Sequence, residues 1–227
     1  MGLVPIEKTE VVVNGVHPSC SPSPDPAADR AAAALLGVAG GPELLHVGST
    51  IARKRIDVLL HVFRAVAAER PGSRLVRVGG AFTPEQSQLA SQLGVAGRIV
   101  VLPFLDRAVL AAVYRRAALV LLPSEREGFG LPLIEAMACG TPVVASDIGV
   151  FREVGGEAAS FAPIGEIDAW RHTITRVLEE RDTRPAEWAG RRNAALARAS
   201  LFSWANYARQ MEALYARLPG AQRKASD

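Results

Sequence analysis

The sequence predicts an α/β domain built as a doubly wound parallel sheet, and three observations carry that expectation. After residue 42, short runs of strand length recur that are apolar almost throughout, as buried strands are. Between them lie segments whose apolar residues fall at helical spacing. The chain has 227 residues, 49% of them hydrophobic, enough to bury roughly 70% of its unfolded surface without a disulfide or metal staple.

Taken in order, the first element is Glu10-Val11-Val12-Val13-Asn14, a short apolar run closed by the turn signal Asn14-Gly15. Residues 18–26 contain Pro18, Pro22, Pro24 and Pro26, whose missing backbone donors predict a linker. A short helix is expected over residues 30–36, ended by Gly37. Strands are expected at 44–47, 75–78, 99–102, 119–122 and 142–145. Ile56, Leu59, Leu60, Phe63 and Val66 make a helical face stopped by Pro71-Gly72. Leu89 and Leu93 form a second face, and Leu110, Val113 and Tyr114 a third. Strands alternating with helices of this length build βαβ units, here over about residues 42–180, with no internal repeat. From about residue 184 the chain reads as helical, with Trp204, Tyr207, Met211, Leu214, Tyr215 and Leu218 on one stripe. The polar residues from Pro219 onward are expected to fray.

Composition removes several function classes. The net charge is only +3, the signs are interspersed, and the cations are arginines except for Lys8, Lys54 and Lys224. No basic block or aromatic-interleaved basic stretch is present, so no nucleic-acid partner is expected. No run approaches the ~20 apolar residues that span a bilayer. Residues 1–8 place an acid and a proline where a signal peptide needs a long apolar region, so the expected compartment is the cytoplasm. Cys20 and Cys139 lie far apart and fit neither a disulfide framework nor a zinc spacing, and Cys139 reads as a small buried residue. His17, His46, His61 and His172 are scattered without metal-ligand spacing, and His46 is expected at a strand end.

In an open α/β sheet, ligands bind where strand ends lead into helix N-termini. Three such loops stand out. Gly48-Ser49-Thr50-Ile51-Ala52-Arg53-Lys54-Arg55 sets three cations at the sheet mouth, which would neutralise a phosphate; a solvated helix start is the plainer account. Cations at a helix N-terminus are unfavourable unless an anion answers them. Val78-Gly79-Gly80 permits close backbone approach but lacks the dinucleotide and P-loop patterns, and reads as a tight turn. The third loop runs from Pro123 through Glu127-Gly128-Phe129-Gly130 into a helix with Pro132 in its first turn and a stop at Gly140. That helix N-terminus is expected to face the same cleft as the cations, a ready phosphate site. Glu127 precedes the helix and Glu135 is expected in its first turn; both are acceptors suited to vicinal hydroxyls, although Glu135 could simply complement the helix dipole.

The segment Glu127-Gly128-Phe129-Gly130-Leu131-Pro132-Leu133-Ile134-Glu135, followed by Ala136-Met137-Ala138-Cys139-Gly140-Thr141-Pro142, resembles the Glu-x7-Glu motif of the family 4 retaining glycosyltransferases, glycosyl transferases group 1 of the GT-B class. His46-Val47-Gly48-Ser49 with Arg53-Lys54-Arg55-Ile56-Asp57 is similar to that family's phosphate-binding segment. The stretch from Val11 to Val16 is similar to its interdomain hinge, and Phe202-Ser203-Trp204 to the start of its closing helix. The resemblance spans about residues 3–218. It implies a Rossmann-like, donor-binding C-terminal half over residues 42–200, a hinge remnant and linker over 1–41, and a crossover helix and tail over 201–227. It implies transfer of a glycosyl group from a nucleoside diphosphate sugar (UDP-, GDP- or ADP-linked) to an acceptor hydroxyl with retention, without metal or other cofactor.

Residue by residue, the resemblance gives Glu127, Lys54 and Arg53 the catalytic places, with Lys54 the better match for holding the diphosphate. Gly128, Phe129 and Gly130 would lend amides to sugar and phosphate, with Ser49 and Leu131 also in the donor site. Glu135 would take the ribose hydroxyls, and the stretch containing Leu102 and Phe104 would lie against the base. Ser49 stands where many members carry arginine, and Pro103 where glycine is usual, which shifts charge duty to the 53–55 cluster. Set against the family, the length implies that the acceptor-binding domain is a separate partner, through which the assembly would meet a membrane peripherally. The helix at 203–218 is then expected to expose its apolar stripe. The alternative is a non-catalytic nucleotide-sugar-binding module or a truncated gene product, with activity of the isolated chain not expected.

Overall fold

The computed structural model describes residues 9–218. Six parallel strands, β1 (Glu43–Val47), β2 (Arg74–Val78), β3 (Ile99–Leu102), β4 (Leu119–Leu122), β5 (Val143–Ser146) and β6 (Ser160–Ala162), form one sheet. Their order is β3-β2-β1-β4-β5-β6, the doubly wound arrangement. β5 starts one residue later than its apolar run because Pro142 has no N–H for the ladder; its carbonyl accepts from Val120 at 3.0 Å. β6, only three residues long, is a strand that the sequence pattern does not reveal.

The strands are buried on both faces because helices cover both. On one face α2 (Ile56–Glu69), α3 (Pro84–Gln92) and α7 (Ile167–Thr183) bring Leu59, Phe63, Ala90, Trp170 and Ile174 into one core with Leu44, Leu75 and Leu119. On the other, α1 (Pro26–Leu36), α4 (Arg107–Arg116), α5 (Leu131–Ala138), α6 (Gly149–Gly155) and α8 (Pro185–Ala199) bring Leu36, Tyr114, Ile134, Phe151 and Ala195 onto Leu45, Val76 and Val120. Adjacent strand residues such as Leu44 and Leu45 thus serve opposite cores, as a period of two requires. Each fully buried Leu, Val or Phe contributes about 1.5–3 kcal/mol relative to exposure.

Two N-terminal expectations change. The helix ahead of Gly37 starts at Pro26 rather than residue 30, because the Asp25 carboxylate accepts from the Ala27 and Ala28 amides and Pro26 occupies the first turn without needing a donor. Its Ala28, Ala32 and Leu36 are buried, so the stretch before residue 42 is joined to the domain by packing as well as by chain. The run over residues 10–14 is not a strand, and Val11 is 82% exposed. Pairing begins at Val16, whose N–H donates to the Phe202 carbonyl at 2.8 Å in a bridge beside Ser203. Asn14-Gly15 therefore marks a close approach rather than a hairpin: a Cβ on Gly15 would stand 2.3 Å from the Trp204 nitrogen.

The helical tail is two helices, α8 and α9 (Trp204–Ala216), the latter capped by the Ser203 hydroxyl accepting from the Asn206 amide at 3.1 Å. Part of the expected apolar stripe is exposed, with Trp204 at 47%, Tyr215 at 58% and Leu218 at 51%, while Tyr207, Met211 and Leu214 are half-buried. Expectations for residues 1–8 and 219–227 lie outside the described residues. Among the described residues no helix is long and apolar enough to cross a membrane.

Candidate functional site

The sheet order reverses between β1 and β4, with β2 and β3 on one side and β5 and β6 on the other. The loops leaving these two neighbours bound a crevice at the carboxyl ends of the strands, where open α/β sheets bind ligands. They are the loop at 48–55 and the loop at 123–130, the two stretches singled out by their residues.

These loops are joined. The Glu125 N–H donates to the Arg53 carbonyl at 2.9 Å, and the Arg53 guanidinium donates to the Arg126 carbonyl at 2.9 Å. Ala52–Lys54 is a short 3₁₀ turn that aims two cations at one carboxylate: Arg53 Nη1 lies 2.6 Å from Glu127 Oε2, and Lys54 Nζ 2.5 Å from Glu127 Oε1. The Glu127 side chain is 7% exposed and that of Lys54 9%, so the pair is shielded from water. Burial pushes the Glu127 carboxyl up, but hydrogen bonds from Lys54 and Arg53 outweigh it and hold the group below the usual carboxylate range. A cavity of about 260 Å³ lined by Arg53, Arg126, Glu127 and Gly128 opens beside them.

The third cation departs from expectation. Arg55 adopts a left-handed conformation (φ 50°), which turns the chain from the 3₁₀ turn straight into α2. Its guanidinium faces Asp57 at 2.9 Å and also reaches Glu125 of the facing loop at 4.0 Å. The anions that answer the basic triplet within the chain are thus Glu127 for two members, and Asp57 with Glu125 for the third.

Glu135 is the fifth residue of α5, in its second turn, not its first, so it does not complement the dipole at the helix start. The Tyr114 hydroxyl of α4 donates to Glu135 Oε2 at 3.0 Å. Burial raises the Glu135 carboxyl above its ordinary range, against the lowering influence of Tyr114, Arg107 and His17. Tyr114 itself is fully buried and its phenol is raised well above ten, by burial first and by Glu135 next.

Beneath the crevice, β1 and β2 place His46 and Arg77 in register. Arg77 is fully buried; it donates to the Gly48 carbonyl at 2.9 Å and to the Gly80 carbonyl, fastening the turns that follow β1 and β2. His46 lies inside β1 near its end, fully buried, and burial followed by Arg77 and Lys54 lowers it to about 3, so its ring is neutral. Gly79 and Gly80 both donate to the Leu102 carbonyl at 3.2 Å, the geometry of a structural turn.

Of the remaining residues, Ser49 is half-buried in the loop beside Gly48 and Gly128 is exposed at the cavity. Gly130 caps the α5 N-terminus at φ 92°, where a Cβ would lie 2.9 Å from the Phe151 ring. Leu131, the first residue of α5, is 43% exposed. The Phe129 ring turns inward and meets Phe202 edge-on at 5.9 Å. At the end of β3, Leu102 is buried while Phe104 is 78% exposed. Arg77 and Tyr114 are the site-supporting residues that sequence reasoning missed. The one available signal was a charged residue, Arg77, inside an otherwise apolar strand. Among the described residues no three His, Cys, Asp or Glu side chains are grouped to hold a metal.

Residues 32–191 match the family described as Glycosyl transferases group 1. The D-inositol 3-phosphate glycosyltransferase of Mycolicibacterium smegmatis is 35% identical over 201 residues, 85% of this chain and 44% of its own length. The protein of that name from Segniliparus rotundus is 37% identical over 210 residues, 87% of this chain and 44% of its own length. The chain therefore spans less than half the length of these curated relatives. Among solved structures, sucrose-phosphate synthase from Thermosynechococcus elongatus superposes with a TM-score of 0.75 at 30% identity, over 91% of this chain and 52% of that one. Anabaena HepE, solved in complex with UDP and glucose, does so with a TM-score of 0.78 at 24% identity, over 93% of this chain and 58% of that one. With the matched segment covering the whole sheet and both loops of the crevice, the chain belongs to the glycosyl transferases group 1 family and has the Rossmann-like fold found in GT-B glycosyltransferases.

Proposed function

We propose that this chain is the donor-binding half of a retaining glycosyltransferase of family 4, using a nucleoside diphosphate sugar. The observation that carries the reading is the junction of Arg53 and Lys54 with Glu127 at the reversal of the sheet, beside the N-terminus of α5. A glycosyl transfer breaks the bond between sugar carbon and diphosphate, and the leaving group must be stabilised as charge develops on it. Two fixed cations and a helix N-terminus supply that stabilisation electrostatically. Glu127, ionised and held on both oxygens, keeps lone pairs for sugar hydroxyls while fixing the cations in place. Glu135, aimed by Tyr114, accepts from the ribose, and exposed Phe104 offers a face for the base. The acceptor hydroxyl, which passes its proton to the departing diphosphate as the new glycosidic bond forms, is presented by a separate acceptor domain, and the reaction belongs in the cytoplasm.

Isothermal titration calorimetry with UDP-, GDP- and ADP-linked sugars tests this reading. One of the three is expected to bind one-to-one, and the same nucleoside monophosphate is expected to bind at least tenfold more weakly, about 1.4 kcal/mol. Absence of binding to all three overturns it.

A further inference from the structure

The floor of the crevice holds a charge that the rest of the chain does not answer. Arg77 is fully buried in β2, the strand beside β1, whose loop at 48–55 forms one wall. Its partners are neutral. Nη2 donates to the Gly48 carbonyl at 2.9 Å and to the Gly79 carbonyl at 3.4 Å, and Nη1 donates to the Gly80 carbonyl. The Phe82 ring centroid lies 5.4 Å from the guanidinium carbon, and His46, the neighbour in register, is uncharged. Nε is buried without an acceptor, and among the described residues no carboxylate pairs with the guanidinium. Arg53, Lys54 and Arg55 each have a carboxylate partner; Arg77 does not. A guanidinium keeps its proton throughout the pH range of proteins, and an ion taken from water without a counter-ion is costly.

The same bonds orient backbone. No peptide among the described residues is cis, so each carbonyl points opposite to the N–H of the next residue. The Gly48 carbonyl turns towards β2, which directs the Ser49 N–H away from β2, to the side where β4 and its loop bound the crevice. No acceptor among the described residues takes that N–H. The Ser49 side chain brings no charge to a position where many family members carry arginine.

We propose that Arg77 is a positioning residue for the donor diphosphate: that anion is the counter-ion its buried guanidinium lacks, and its hold on Gly48 presents the Ser49 N–H to it. The proposal rests on the donor-binding reading above. Charge that relatives carry on the loop comes here from beneath it, in a fixed place that needs no reorganisation when the ligand arrives. Low dielectric strengthens its reach. Arg77 does not touch the phosphates; it acts through its field and through the Gly48–Ser49 peptide.

Calorimetry on the full chain with UDP, GDP and ADP, and with the matching nucleosides, tests this. Arg77→Met is expected to weaken the diphosphate that the unmutated chain binds at least tenfold and to leave the nucleoside within threefold. Arg77→Lys is expected to bind the diphosphate within threefold of the unmutated chain near pH ~6. It should lose that affinity towards pH ~9, because burial discharges a lysine where an arginine keeps its charge. The unmutated chain should hold its affinity over the same range. Equal losses for diphosphate and nucleoside in Arg77→Met, or a diphosphate affinity within threefold of the unmutated chain, would overturn the proposal. Where a variant does not fold, the unmutated chain decides: its Ser49 amide and Arg77 side-chain NMR signals are expected to shift as inorganic pyrophosphate is added. Signals that stay in place overturn the proposal, and nucleotide-sugar binding seen beside them leaves the donor reading standing. Absence of binding to every nucleotide-sugar overturns that reading and this proposal together.

Discussion

Glu127 and Glu135 stand at the two ends of one loop-and-helix segment, and their surroundings drive the same side chain in opposite directions. Burial opposes charge on both. At Glu127 two cations donate directly to the two carboxylate oxygens and win, so the group stays ionised in a shielded place. At Glu135 the direct partner is a neutral phenol, with Arg107 and His17 acting only through space, and burial wins. The contrast teaches that a motif written as two glutamates is two devices. One is a fixed charge that organises other charges; the other is an acceptor whose charge burial opposes.

The largest break in this comparison comes from removing the cation that most distinguishes the Glu127 end. Lys54→Met leaves a nearly buried carboxylate with only the more exposed Arg53 as partner. Truncating one member of a buried ion pair is expected to lower stability by about 3 kcal/mol, read by urea unfolding. It is also expected to weaken binding of the nucleoside diphosphate at least 30-fold, about 2 kcal/mol, because a charge-assisted phosphate contact is lost. An affinity within threefold of the unmutated chain, with the variant folded, would remove Lys54 from the phosphate site.

The next test pits the two glutamates against each other through pH. The folded-state value of Glu127 is depressed, so its stabilisation is present above the unfolded value and is lost as pH falls through the folded one. Glu127→Gln is therefore expected to cost about 1–2 kcal/mol at neutral pH, a deficit that closes below pH ~4. The folded-state value of Glu135 is raised, so the native state is penalised as pH rises through the unfolded value. Glu135→Gln keeps an acceptor for Tyr114 and is expected to gain about 1 kcal/mol at neutral pH, an advantage that vanishes below pH ~4. Unfolding curves between pH 3 and 8 that slope the same way for both variants would refute the opposed environments.

The same contrast marks how far the sequence could be read. Five strands were legible because a parallel sheet covered on both faces writes itself as nearly continuous apolar runs, and each falls within one residue of its run. β6 was not, because three residues beginning with a serine make no run. The Glu127 end was legible from residue types: cations before one helix, an acid and glycines before another, and a resemblance that joined them. Arg55 was half legible, because a local left-handed turn, invisible in composition, gives it Asp57 as its nearer partner and Glu125 of the facing loop as its farther one. The Glu135 end was half legible. Tyr114 reads as one more apolar position on a helical face, and only the packing of α4 on α5 brings its hydroxyl to a carboxylate. Arg77 escaped for the same reason: the Gly48 carbonyl that it holds comes from a distant part of the chain.

The smallest effect belongs to that phenol and sharpens the comparison most. Tyr114→Phe keeps the packing and removes one neutral hydrogen bond, expected to cost about 1 kcal/mol of stability. Because the hydroxyl lowers the Glu135 carboxyl, its loss should move the titration of that carboxyl further upward, seen by carbon-detected NMR of the side chain. The Glu127 carboxyl should not move, since none of the groups that set it includes Tyr114. If Tyr114 only fills space, both titrations stay where they are. If it aims an acceptor at the ribose, the variant loses affinity for a ribonucleoside diphosphate while its weaker affinity for the 2′-deoxy analogue stays unchanged, because the hydroxyl that Glu135 would have met is already gone.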